Sequence, residues 1–256
     1  MAMSEPHPLF RTPLQYRWGI FNDFRSFVRL QRLGLKDARA MDLIQGILQK
    51  RLSYLGASKL IDLYERTLEI EDRNRSGSFI EAGCAYGGSA IVIASAKKKS
   101  RPFMIFDTFG MIPPPSEHDG MDAYERYAEI LSGKSKGIRG GEYYGYVEDL
   151  IEKVRGNLDA FELPIEANTI QLIRGEFGDT LKLSEPVAFA HIDADWYDSV
   201  MLCLTRIEPL LTSQGVLVID DYFTWRGCRN AVDDYFHDRK GNYDFERKEA
   251  LHILKK

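Results

Sequence analysis

Three aspartates, with a fourth beside them, are the residues of this chain best placed to do chemistry. Asp193 and Asp195 follow the run Val187-Ala188-Phe189-Ala190-His191-Ile192, and the pair Asp220-Asp221 closes Gly215-Val216-Leu217-Val218-Ile219. Each run is a short apolar stretch ending in carboxylate, the pattern of a buried parallel strand that delivers acids at its C-terminal edge. That edge is where open α/β sheets bind ligands. The stretch from Trp196 to Gln214 is long enough for one crossover helix, so the two strands are expected to be neighbours and Asp193, Asp220 and Asp221 to converge. Acids that converge without a basic partner repel, and a hard divalent cation such as Mg²⁺ relieves the repulsion. Helix caps that cluster by chance are the plainer account of any single one, since Asp is common just after strands.

A second constellation lies upstream. Ser78-Phe79-Ile80-Glu81-Ala82 reads as an apolar strand that runs into Gly83-Cys84-Ala85-Tyr86-Gly87-Gly88 and then a helix rich in Ala, Ile and Val. Glycines admit close backbone approach to a ligand, and a helix start offers free N–H groups to a carboxylate or phosphate. The next strand, Phe103-Met104-Ile105-Phe106, ends in Asp107, an acid suited to the two hydroxyls of a ribose. This arrangement suits either NAD or S-adenosylmethionine. The spacing of Gly83, Gly87 and Gly88 does not make G-x-G-x-x-G, the pyrophosphate fingerprint, and Glu81 would repel a pyrophosphate while favouring amino and sulfonium charges.

Taken in order, Glu-Ala-Gly-Cys-Ala-Tyr-Gly-Gly-Ser-Ala at 81–90, Asp-Thr-Phe-Gly at 107–110, Gly-Glu-Phe-Gly-Asp-Thr-Leu at 175–181, Ile-Asp-Ala-Asp-Trp-Tyr-Asp-Ser at 192–199 and Asp-Asp-Tyr at 220–222 resemble the macrocin O-methyltransferase (TylF) family. The resemblance runs from about residue 50 to the C-terminus and departs at Ala194, where the family commonly has Gly. It implies an enzyme that uses S-adenosylmethionine and Mg²⁺ to methylate a sugar hydroxyl of a natural product or glycan. Carried over by position, it implies Asp193, Asp220 and Asp221 as metal ligands and Asp193 or Asp195 as proton acceptor. It implies a cofactor site built from Ser53, Tyr54 and Leu55, from Glu81, Gly83, Cys84, Ala85, Tyr86 and Ser89, from Asp107, Thr108 and Phe109, and from Glu176, Phe177 and Asp193. A more distant likeness is to catechol-type O-methyltransferases, so a non-sugar acceptor stays open. So do an NAD-dependent nucleotide-sugar oxidoreductase and a non-catalytic binding protein of the same fold.

The elements expected to hold these residues form one doubly wound α/β unit, a mostly parallel seven-stranded Rossmann-like methyltransferase sheet. Its strands are expected near 78–82, 103–107, 170–174, 187–193 and 215–220, with a terminal antiparallel hairpin at 243–248 and 251–254. Residues 1–75 are expected to be an N-terminal helical cap, with 41–75 one helical run, and 76–256 the methyltransferase domain, with a lid insertion at about 111–147. In the cap, Phe10, Tyr16, Trp18, Phe21, Phe24 and Phe27 alternate with Arg11, Arg17, Arg25, Arg29 and Arg32. Such spacing fits an amphipathic helix packed on the domain or on a second subunit better than a nucleic-acid surface, and it points to a homo-oligomer. In the lid, the polar stretch 132–141 carries Lys134, Lys136 and Arg139 ahead of Tyr143, Tyr144 and Tyr146. A solvated loop and a cover whose Arg139, Tyr143 and Tyr144 meet the substrate are both open readings.

The remaining features bound the function class. The chain has 256 residues, is 44% hydrophobic and 28% charged, and carries a formal charge of −4, ordinary for a globular enzyme and unsuited to nucleic acid. Cys84, Cys203 and Cys228 are odd in number and lack metal spacing, which reads as reduced thiols in a cytoplasmic protein. No apolar run reaches membrane-spanning length, and no membrane association is expected. His191 is expected to be a satisfied core residue inside its strand rather than a base.

Overall fold

The computed structural model describes residues 24–256. The aromatic and basic positions Phe10, Arg11, Tyr16, Arg17, Trp18 and Phe21 lie outside them. Three helices open the described chain: α1 (Phe24–Lys36), α2 (Ala38–Gln49) and α3 (Ala57–Asp72). Then β1 (Ser78–Ala82), α4 (Gly88–Ala96) and β2 (Phe103–Asp107) lead to α5 (Met121–Leu131) and α6 (Leu150–Ala160). They are followed by β3 (Ile170–Arg174), α7 (Phe177–Thr180), β4 (Val187–Ile192), α8 (Tyr197–Ile207) and β5 (Leu211–Ile219). The chain ends with α9 (Arg226–Phe236), β6 (Tyr243–Arg247) and β7 (Leu251–Lys255).

The strands make one seven-stranded sheet in the order β3-β2-β1-β4-β5-β7-β6. The first five are parallel, and β7 runs antiparallel to both β5 and β6. Because side chains alternate across a strand, each strand feeds two cores. Phe79, Phe189 and Val218 point to the layer of α1–α4 and α6, while Ile80, Ala190 and Ile219 point to the layer of α8 and α9. The helices α1–α3 thus share a core with one face of the sheet, through Leu30, Ile44 and Leu60. Among the described residues no helix is long and apolar enough to cross a membrane, and Cys84, Cys203 and Cys228 are free and buried.

The expected helical run 41–75 is broken. α2 ends at Gln49, Arg51 takes a left-handed φ of 59°, and α3 restarts only after Gly56, so Ser53, Tyr54 and Leu55 form a segment between helices. β5 starts at Leu211, four residues before the expected strand, because Leu211 already pairs with Val187. Register then does what the site requires. Ala82 lies abreast of Ile192, and Ile192 abreast of Ile219, so Gly83, Asp193 and Asp220 leave three adjacent strands side by side.

The turn after β1 is where glycine is indispensable. Gly83 has φ +87°, and a Cβ there would lie 1.9 Å from the Asp193 carbonyl oxygen, so the tips of β1 and β4 touch only because the side chain is absent. Gly87 has φ +85°, and its added Cβ would sit 3.0 Å from Cγ1 of Val154. Gly87→Val should therefore lower the melting temperature and the affinity for the ligand of this turn together. A cost of about 2 kcal/mol or more is expected from the left-handed φ and the clash combined. Thermal melts and calorimetry check it; a variant as stable as the parent contradicts it.

Candidate active site

A cleft runs along the C-terminal edge of the sheet, in two connected parts. The first, about 240 Å³, is bordered by Tyr54, Leu55, Gly83, Cys84 and Ala85 and by Asp193, Asp195, Asp220 and Asp221. The second, about 440 Å³, is bordered by Thr108, Pro113, Glu176, Phe177 and Leu202. Gly83, Asp107, Tyr144, Asp193 and Asp195 border both.

The acids do converge: Asp193, Asp220 and Asp221 line one part of the cleft, with Asp195 beside them. Ligand-type oxygens of Asp193, Asp195 and Asp221 all lie within 4.8 Å of one another. Burial pushes the carboxyls of Asp193 and Asp195 well above the usual range, and their like-charged neighbours, Asp220 and Asp221 for Asp193 and Asp221 for Asp195, push them further. Oδ2 of Asp221 is buried without a hydrogen-bond partner. A cluster of repelling, under-satisfied carboxylate oxygens has the donor chemistry of a hard divalent cation, so these residues fit one. Asp195 also takes a left-handed φ of 53°, a conformation Asp tolerates better than most residues and one that marks functional sites when the surroundings enforce it.

Asp220 departs from the expected absence of a basic partner. Nζ of Lys59, on the first turn of α3, donates to its Oδ2 at 2.7 Å and to its carbonyl oxygen at 3.2 Å. Nε2 of His191 lies 3.9 Å from its Oδ1. Burial alone would raise this carboxyl, but Lys59 and His191 hold it down at about 2. His191 is fully buried in its strand, as expected, but stands between two acids. Burial disfavours its charge, yet Asp220 on one side and Glu81 on the other, the latter 3.0 Å from Nδ1, raise it to about 9. The result is a row of acid and base, Glu81, His191, Asp220 and Lys59, that runs from the core to the cleft wall.

The residues expected around the cofactor are divided between wall and support. Tyr54, Leu55, Gly83, Cys84, Ala85 and Asp107 line the first part of the cleft, and Thr108, Glu176 and Phe177 the second. Ser53, Glu81, Ser89 and Phe109 are buried but line neither. Oγ of Ser53 accepts from the Leu55 N–H at 3.1 Å and shapes the segment. Tyr86 turns away; its hydroxyl donates to the Glu142 carbonyl at 3.0 Å. Asp107 is engaged more fully than a free ribose acid. Its Oδ2 accepts from the N–H groups of Cys84 (2.7 Å) and Ala85 (3.2 Å), and its Oδ1 from that of Phe109 (2.7 Å). The acid that lines both parts of the cleft also holds the glycine turn in shape.

The insertion is docked over the acid cluster. Nε1 of Trp196 donates to the Pro113 carbonyl at 2.9 Å, and the Tyr197 N–H donates to Oδ1 of Asp119 at 2.9 Å. Tyr143 and Tyr144 line the first part of the cleft, as expected for residues near a substrate. Arg139 does not: it takes a left-handed φ of 53° in a turn and borders neither part. The guanidinium that does border it is Arg126 on α5, 5.5 Å from the Tyr143 ring centroid and bonded to Glu129 at 2.8 Å. Trp196 and Trp225, edge to face at 5.4 Å, complete the wall.

Arg126, Lys59 and the two tryptophans were not singled out from sequence. A signal existed for Lys59. Lys59, Asp62 and Arg66 recur at helical spacing along α3, and each is paired across to another element.

Comparison with known proteins agrees with this geometry. The family model of macrocin O-methyltransferase (TylF) matches residues 48–250. The chain belongs to that family. Among its relatives is the demethyldecarbamoylnovobiocin O-methyltransferase of Streptomyces niveus, 26% identical over 187 residues, which are 71% of this chain and 66% of that one. Another is the 8-demethyl-8-(2,3-dimethoxy-alpha-L-rhamnosyl)-tetracenomycin-C 4'-O-methyltransferase of Streptomyces olivaceus, 28% identical over 62% of this chain and 58% of that one. The matches thus span 66% and 58% of the length of these curated relatives. The structure of the O-methyltransferase NovP superposes with a TM-score of 0.68 at 20% identity, covering 90% of this chain and 99% of that one, and shares its fold.

Proposed function

We propose that the protein is an S-adenosylmethionine-dependent O-methyltransferase that acts, with a divalent cation such as Mg²⁺, on a hydroxyl of a sugar moiety of a natural product or glycan. The single observation that carries this reading is the cluster of Asp193, Asp195 and Asp221 in the same cleft as the Gly83–Ala85 turn, on the neighbouring strand ends. Two adjoining sites in one cleft suit a cofactor that must present a methyl group to an oxygen held on acids. The family and the sugar-acting relative support the acceptor class.

In this reading the turn and Asp107 bind the amino-acid and ribose parts of the cofactor, and Thr108, Glu176 and Phe177 border its adenine. Asp193, Asp195 and Asp221 hold the cation, which when bound lowers the acceptor hydroxyl's pKa. Tyr143, Tyr144, Trp196 and Trp225 offer aromatic faces to the sugar ring and exclude water. Asp195, which borders both parts of the cleft, is the assigned proton acceptor as well as the third carboxylate. Asp195→Asn should weaken Mn²⁺ binding about tenfold and also reduce turnover. Unchanged Mn²⁺ affinity with lost turnover would make Asp195 the base alone and give the third ligand place to Asp220.

S-adenosylhomocysteine and NAD, titrated separately by calorimetry, test the cofactor assignment. Binding of the first alone is expected; binding of NAD alone would turn the reading toward an oxidoreductase. The buried thiols fit a cytoplasmic enzyme. The exposed Phe24 and Leu35 on α1 fit self-association through the N-terminal helices, with light scattering of the full chain as the check.

A further inference from the structure

A further cavity, about 330 Å³, lies outside the cleft and shares no lining residue with either part of it. Lys50, Arg51 and Lys153 line it against a single acid, Glu142. Among the described residues none of the three cations makes a side-chain hydrogen bond or ion pair. Lys50 and Arg51 suit the C-terminal end of α2, where a helix favours positive charge, but Lys153 is the fourth residue of α6, near the end where a helix disfavours it. The turn that closes α2, with the Leu52 N–H donating to the Ile47 carbonyl at 3.0 Å, puts Arg51 at the left-handed position that glycine fills most easily. Its Nη1 lies 3.9 Å from where a Cβ on Gly141 would stand, so the guanidinium reaches from α2 to the turn of the insertion.

The cavity backs onto three walls of the cleft. Leu52 precedes the segment of Tyr54 and Leu55, Tyr86 follows the Gly83–Ala85 turn, and Glu142 precedes Tyr143 and Tyr144. The Leu52 carbonyl accepts from the Gly88 N–H at 2.9 Å, and the Tyr86 carbonyl from Nδ2 of Asn157 at 2.9 Å, so the cavity lining is bonded to the cofactor-side turn. We infer that this cavity binds a diphosphate group, free or carried on a nucleoside, and that its occupation tightens cofactor binding. Three unpaired cations around a space of small-molecule size repel one another, and two linked phosphoryl groups supply the opposite charge and enough acceptors for all three. Half-buried Tyr86 and Phe161 add aromatic faces. The bound anion bridges α2, the insertion and α6, and so fixes the three wall segments against one another. The coupling rests on the cofactor reading above; the site itself does not.

Inorganic pyrophosphate, titrated by calorimetry into the full chain without metal or acceptor, tests the site. Lys153→Gln should weaken its binding about tenfold, the loss of one charge-assisted hydrogen bond. Arg51→Gly should weaken it at least as much without lowering the melting temperature, because glycine relieves the left-handed turn that arginine strains. Arg155→Gln is the control: Arg155 stands on the same helix, is bonded to Glu152 at 3.3 Å and does not line the cavity, so its loss should change the affinity by less than about twofold.

The coupling is read from the affinity for S-adenosylhomocysteine with and without saturating pyrophosphate. It should rise about fivefold or more in the parent, the low end of coupling between two sites, and stay unchanged in Arg51→Gly. Uridine diphosphate in place of pyrophosphate separates the sources: tighter binding assigns the site to a nucleotide, and equal binding to the inorganic anion. No binding of either probe, binding that survives both Lys153→Gln and Arg51→Gly, or an equal loss in Arg155→Gln overturns the site. Binding that leaves the affinity for S-adenosylhomocysteine unchanged overturns the coupling. A parent protein that binds pyrophosphate but no S-adenosylhomocysteine overturns the cofactor reading and the coupling with it, and upholds the site.

Discussion

Asp193→Asn combined with Asp221→Asn should remove divalent-metal binding and cut methyl transfer about a thousandfold or more, while making the metal-free protein more stable. The first effect follows from the cluster itself. The two residues supply two of the three oxygen positions that lie within 4.8 Å of one another, and the charge stabilisation lost with a bound cation is several kcal/mol. The second follows from the same geometry with the opposite sign. Burial and mutual repulsion hold both carboxyls above their usual range, so each acid costs folding energy that a neutral amide of the same shape does not. Removing both should add about 1–2 kcal/mol, a few °C in a domain of this size. A metal titration, a turnover assay and a thermal melt on one preparation test all three parts. Retained turnover would show that the acids are scaffold, and a lower melting temperature would show that they are paired in a way the metal-free geometry does not contain.

Asp107→Ala should weaken S-adenosylhomocysteine binding by roughly 2–4 kcal/mol, a factor of about 30 to 1,000. The loss has two sources. A ribose would lose its charge-assisted acceptor, and the N–H groups of Cys84, Ala85 and Phe109 would lose the carboxylate that gathers them. Asp107→Asn separates the two, since its single carbonyl oxygen can hold only part of that backbone set and its amide presents a donor instead. An affinity for Asp107→Asn midway between parent and Asp107→Ala is the expected calorimetric result. Unchanged affinity in both would place the ribose elsewhere.

The strand tips were legible because an apolar run that stops at an acid has few other meanings in an α/β chain. β1, β2 and β3 begin and end where the runs at 78–82, 103–107 and 170–174 do. The convergence of Asp193 with Asp221 followed from one crossover length. What local patterns could not show is how the charges pair. Lys59 and Asp220 are 161 residues apart, and a lysine after a glycine in an amphipathic helix ordinarily faces solvent. The break at 50–56 was hidden for a related reason: the leucines on either side keep a helical rhythm, and the left-handed turn at Arg51 has no glycine to announce it. Arg139 was the nearest cation to the tyrosines in sequence, but α5 brings Arg126 to them in space.

The claim that organises the whole site is that a metal on the strand-end acids and a sulfonium cofactor on the glycine turn act on one sugar hydroxyl. Transfer of an isotopically labelled methyl group from S-adenosylmethionine to a panel of glycosylated acceptors, run with Mg²⁺ and with a chelator in its place, tests it most directly. Label should enter a sugar-bearing acceptor with Mg²⁺, vanish with the chelator and return when Mg²⁺ is restored. Equal transfer in the chelator, or label that enters only acceptors without a sugar, would contradict it.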